Sequence, residues 1–164
     1  MEEYILPNED LPSILYRIDY PGSRTIYSRG EGLVAGDRMK VYAEQDVSEF
    51  KSDIVKQFTW GSRYPLPFIS LFSDREHAEN WGLKQPWRGN ASHLFHSDWA
   101  LYVIDTSRLG DTCFFRLGDL VDGLKLELPD KASQHIPGTY LCLHSIPSAA
   151  IVDRIGPKQV QYGK

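Results

Sequence analysis

The amino-acid sequence predicts an α+β fold in a single domain, and three observations carry that expectation. Candidate strands outnumber candidate helices, and the two do not alternate along the chain as a parallel doubly wound sheet would require. A length of 164 residues with 41% hydrophobic content suits one substantial core and is short for two. No internal repeat or low-complexity segment breaks the pattern.

In chain order, residues 1–12 are polar and punctuated by proline, which predicts an arm packed on the surface of a domain spanning 1–164. ILYRI, residues 14–18, is β-branched and aromatic and runs into the turn signal YPGS. TIYSRGEGLVAGD predicts a short turn of helix closed by glycines, with Ile26 and Leu33 as its core anchors. Ser48 is placed to cap a helix whose Phe50, Ile54, Val55 and Phe58 follow the 3.6-residue period. WGSRYPLP predicts a loop and PFISLF a strand, and SDREHAENWGL a helix turning Ala78 and Trp81 inward. KQPWRGNASHLFHSD has no clear period, whereas WALYVIDTS predicts a buried strand. LGDTCFFRLGDLVDGLKLELP predicts a short strand and a turn, and residues 130–138 a connection. TYLCLHSI predicts another strand, and IPSAAIVDRIG a turn and a final strand.

A formal net charge of −4 and the absence of a Lys/Arg cluster exclude a nonspecific polyanion binder. Cys113 and Cys142, flanked by apolar residues, read as buried free thiols more readily than as a disulfide. The acidic start MEEYILPNED has no apolar h-region and no run approaches membrane-spanning length, so a cytoplasmic protein without membrane contact is the simplest expectation. A mature secreted chain would read identically.

Several residues invite a chemical role. Arg17 interrupts an apolar strand: it either snorkels at an edge beside Asp19 or holds its planar fork inside a cleft for a phosphate or carboxylate. In FISLFSDREHAENWG, Ser73 and Glu76 have capping-box spacing, which leaves Ser70 unexplained. His135 and His144 lack the company of an activated nucleophile and read as surface or hydrogen-bonded core residues. His93, His96 and Asp98 lack a metal signature, so no metal is expected. Trp60, Trp87 and Arg88 sit in loops suited to stacking a nicotinamide, an adenine or a base, although packing is the more usual fate of tryptophan.

LYRIDYPGSRTIYSRGEGLVAGD resembles the opening of the ADP-ribosyltransferase superfamily, in the branch of cholera and pertussis toxins and pierisin. The matching residues are Tyr16, Arg17, Asp19, Pro21, Ile26, Tyr27, Gly32 and Leu33, with the usual Arg-Pro-Pro replaced by Tyr-Pro-Gly. PFISLF resembles the family's second landmark, with Ser70 eight residues before Ala78, although Leu71 and Phe72 replace polar residues. The Ile-Pro-x-x-x-Ile turn is present at residues 146–151. Seven residues before it, where the family carries its catalytic glutamate, stands Thr139, and two before that is Pro137. The resemblance runs from Leu15 to Ile155 and extends to an uncharacterised domain group frequent in filamentous fungi.

The resemblance implies two small, mostly antiparallel sheets around an NAD cleft with flanking helices. It further implies NAD as substrate and transfer of ADP-ribose to a protein or nucleic-acid acceptor. In that frame Arg17, Ser70 and Thr139 occupy the catalytic positions, and Tyr16, Arg17, Asp19, Trp60 and Ser70 line the NAD site. Arg17 would grip a phosphate or ribose, and Ser70 would order the arginine and frame the nicotinamide. Because Thr139 carries no charge, a catalytically lapsed interaction or effector module is the rival expectation, and an NAD glycohydrolase a third. Glu127 and Asp130 are the alternative carboxylates.

Overall fold

A computed structural model describes residues 1–20, 22–59, 64–84 and 99–162. Its strands pair antiparallel throughout, in two sheets. The larger sheet has seven strands. Their order is β1 (Ile5–Leu6), β7 (Phe114–Arg116), β8 (Thr139–Leu143), β5 (Phe68–Phe72), β2 (Ile14–Asp19), β6 (Ala100–Asp105) and β10 (Ile151–Ile155). The smaller has three, in the order β3 (Ile26–Ser28), β4 (Gly32–Val34), β9 (Ser145–Ile146). The helices are α1 (Val47–Gln57), α2 (Arg75–Lys84), α3 (Leu117–Leu124), α4 (Asp130–Ser133) and α5 (Pro157–Tyr162). The fold is α+β, as the sequence predicts, although one of the two sheets is not small. Among the described residues no helix is long and apolar enough to cross a membrane.

Each departure from expectation has a local cause. The stretch from Ile26 to Val34 is a hairpin rather than a helical turn, because its period is two: Tyr27 pairs with Leu33, which is fully buried, while Ile26 points outward at 66% exposure. Gly32 has φ +88°, and a Cβ there would collide with the Ile146 carbonyl, so β4 and β9 approach as only glycine permits. Ser48 is not the cap of α1; the helix starts at Val47 behind a 3₁₀ turn at Glu44–Asp46, and the Asp46 carboxylate accepts the Ala43 amide. At α2 the capping oxygen belongs to Asp74, which accepts the His77 amide, rather than to a Ser73–Glu76 box. Part of the predicted arm is strand β1, paired to β7, and Leu11 is buried in the core.

Both faces of the large sheet are covered. Leu15, Ile69, Leu71, Tyr102, Ile104, Phe114, Tyr140 and Cys142 meet Leu33, Ala35 and Ile146 of the smaller sheet and its flanks. On the other face, Phe50 and Ile54 of α1 and Leu117 and Leu120 of α3 cover Phe68, Phe115 and Leu141. Ala78 of α2 and Val160 of α5 join Ile18, Phe72, Trp99 and Leu101. Cys113 and Cys142 are unpaired; Cys142 is buried and Cys113 half-buried.

His144 joins the two sheets. Its left-handed backbone, φ +71°, turns the chain from β8 into β9, its amide donates to the Pro67 carbonyl at 2.8 Å, and its carbonyl accepts from Ala35 at 2.8 Å. Its ring Nε2 meets the Lys40 carbonyl, so it is a hydrogen-bonded structural residue.

Candidate functional site

β2 and β5 pair at one position only, Tyr16 with Phe72, and then part. Beyond that rung the Ser70 carbonyl has no β2 amide to meet, and Arg17 fills the gap. Its Nη1 donates to the Ser70 carbonyl at 2.9 Å and its Nη2 to Ser23 Oγ at 3.0 Å. The side chain is 7% exposed, and its Nε has no hydrogen-bond partner among the described residues. Burial lowers the guanidinium below its ordinary value, opposed by Asp19, Tyr20 and Tyr102; an arginine nonetheless stays protonated. The site therefore holds a fixed positive charge with one unmatched N–H.

Strand alternation sorts the other predicted residues. Arg17 and Asp19 leave β2 on the face of Leu15, toward the smaller sheet, while Tyr16 packs on the opposite face with Ile18 and Phe72. Asp19 is half-buried; burial raises its carboxyl above the ordinary range against the pull of Arg17 and Arg154, and its Oδ1 is unpartnered among the described residues. Ser70 leaves β5 on the face of Phe68 and Phe72, where its Oγ accepts from Gln57 Nε2 at 2.9 Å. Ser70 thus orders the arginine with its carbonyl, not with its hydroxyl. Trp60 and Pro21, like Trp87, Arg88, His93, His96 and Asp98, lie outside the described residues.

Thr139 opens β8 opposite Phe72 and is fully buried. Its Oγ1 donates to the His135 carbonyl, and its pairing with Phe72 places it on the face opposite Arg17. Beside it the rings of Phe72, His77 and His135 cluster, with His77 Nε2 and His135 Nδ1 2.8 Å apart. Burial, then the nearby His77, lowers His135 to about 4. Glu127 and Asp130 are exposed and are bonded to none of Arg17, Ser70 or Thr139 among the described residues. The structure therefore joins the Arg17 side chain to the Ser70 carbonyl, but turns the Ser70 and Thr139 side chains to the opposite face of the sheet, so the three predicted side chains do not converge on one face.

Sequence reasoning missed Ser23, Gln57, Tyr102 and Arg154. Tyr102 faces Arg17 across β2 and β6 and Arg154 across β6 and β10, and Arg154 Nε donates to its hydroxyl at 3.1 Å. Only the sheet order reveals these neighbours. Among the described residues no group of three or more His, Cys, Asp or Glu is placed to hold a metal ion.

A family described as "Domain of unknown function (DUF7587)" matches residues 10–160. No curated protein matches the chain. Among solved structures it is similar to EcPltA, an ADP-ribosyltransferase-like toxin subunit. The likeness has a TM-score of 0.56 and 14% identity over 90% of this chain and 77% of that one. At that identity the likeness establishes the fold alone. The chain therefore belongs to the DUF7587 family and has the ADP-ribosyltransferase-like fold.

Proposed function

We propose that the chain binds NAD as substrate in the cleft at Arg17 and transfers its ADP-ribose to a protein or nucleic-acid acceptor, with a chemical step slowed by Thr139. The observation that carries the reading is Arg17 itself: a buried guanidinium, tethered at both terminal nitrogens, with an unmatched Nε–H beside half-buried Asp19. Burying a charge is costly, and a site that does so without completing its hydrogen bonds is suited to an anionic ligand that completes them. The unmatched Nε–H is a charge-assisted donor of the kind a phosphate oxygen accepts from.

In the reaction, the bond between ribose C1′ and the nicotinamide nitrogen breaks and its electron pair leaves with nicotinamide. The oxocarbenium-like ribose is then captured by the acceptor, which loses a proton. A carboxylate at position 139 would stabilise the positive charge that develops, and Thr139 supplies none. Loss of one such preorganised group costs about 3 kcal/mol, on the order of a hundredfold in rate.

The buried, inward-turned hydroxyl of Thr139 favours a second reading, in which the domain retains the cleft as an interaction or effector module and has no turnover. Nicotinamide release from NAD separates the two. Slow release that Arg17→Ala abolishes supports the enzyme. NAD binding without release supports the module. A chain that neither binds nor cleaves NAD removes both.

A further inference from the structure

The register of the large sheet aligns three side chains that are distant in sequence. Arg17 pairs with Tyr102 across β2 and β6, and Tyr102 pairs with Arg154 across β6 and β10, so all three rise from one face in a single row. The row is polarised. At its inner end the Arg17 guanidinium is buried and fixed. At its outer end Arg154 is exposed, with its Nε bonded to the Tyr102 hydroxyl at 3.1 Å and its guanidinium 5.7 Å from that ring's centroid. Tyr27, from the smaller sheet, closes over Tyr102 with ring centroids 5.1 Å apart. Asp19 lies on the same face, with one oxygen unpartnered among the described residues.

We infer that Arg154 is the second arginine of this cleft and contacts the diphosphate of a nucleotide whose inner phosphate or ribose is held by Arg17. The inference rests on the function proposed above for its choice of NAD, but on the row alone for its choice of a diphosphate. Arg17 offers its one unmatched N–H, its terminal nitrogens being held by Ser70 and Ser23, and Arg154 an exposed guanidinium; on one row, separated by a tyrosine, they suit two linked anionic groups, and Asp19 offers an acceptor for a sugar hydroxyl. An edge-strand arginine also deters pairing with another sheet. That role needs only an exposed charge; it does not need the guanidinium aimed by the hydroxyl of a buried tyrosine, as Tyr102 aims Arg154.

The test is calorimetric titration of the full chain with NAD, ADP-ribose and inorganic pyrophosphate, at two salt concentrations. The variants are Arg154→Ala, Tyr102→Phe and, as an exposed control, Arg108→Ala. Arg154→Ala is expected to weaken ADP-ribose by about tenfold or more and to reduce the salt dependence of binding, as loss of a charge-assisted contact does. Tyr102→Phe, which keeps the ring, is expected to reproduce part of that loss, and Arg108→Ala none of it. Wild-type affinity for ADP-ribose in Arg154→Ala overturns the inference while leaving the proposed function standing. Binding of ADP-ribose or pyrophosphate that depends on Arg154, without binding of NAD, upholds the inference and removes the proposed function. A chain that binds none of the three ligands overturns both.

Discussion

At the scale of single residues, Thr139 bears on the proposed reaction and the buried groups around it on stability. Thr139→Glu restores a carboxylate where the family resemblance places one, and is expected to raise nicotinamide release by on the order of a hundredfold. Release unchanged from wild type would show that position 139 does not face the reacting ribose. His135 gives a pH signature. Its buried ring titrates near 4, below the ordinary 6.5, so the folded chain holds it neutral while the unfolded chain takes up the proton first. The stability it contributes is complete above about pH 6.5, declines as pH falls and is lost by about pH 4, a difference on the order of 2 kcal/mol. Urea midpoints at pH 7 and pH 4.5 should therefore fall further apart in wild type than in His135→Gln. Asp53, 1% exposed, accepts from the Tyr42 hydroxyl at 2.6 Å and pairs with Lys40 at 2.7 Å. Asp53→Ala leaves both without their shared partner and should cost about 2–4 kcal/mol in urea denaturation.

At the scale of elements, short motifs decide the fold and also decide what the sequence reveals. The β3–β4 hairpin depends on Gly32, because the smaller sheet closes only where the backbone takes φ +88° against the Ile146 carbonyl. Gly32→Ala should lower the melting temperature by an amount equivalent to about 2 kcal/mol or more; an unchanged melting curve would contradict that role. This hairpin reads as a helical turn in sequence because its strands are three residues each, too short to show alternation. Strands 14–19, 68–72, 100–105 and 139–143 were legible because they are longer and buried on both faces. α3 was hidden: Leu117, Leu120, Val121 and Leu124 keep the helical spacing, but Gly118 and Gly123 interrupt it with turn signals. The cleft was legible in part. Arg17 stood out as a charge in an apolar strand and Ser70 as a hydroxyl without a capping role. Tyr102 and Arg154 gave no signal, because their proximity to Arg17 comes from long-range strand order.

At the scale of the whole molecule, the two sheets, the parting of β2 from β5 and the buried guanidinium at that gap form one arrangement. A regular β2–β5 ladder would satisfy the Ser70 carbonyl through the backbone and leave Arg17 nothing to replace. In the proposed function the ligand enters where the strands part, and Arg17 keeps the parted edge hydrogen-bonded through the Ser70 carbonyl. The measurement that tests this most directly is calorimetric titration of NAD into the wild-type chain and into Arg17→Lys, which keeps the charge and loses the planar fork. Saturable binding to wild type is expected, weakened at least about tenfold in the variant. No saturable binding to wild type, or equal binding by both, would contradict it.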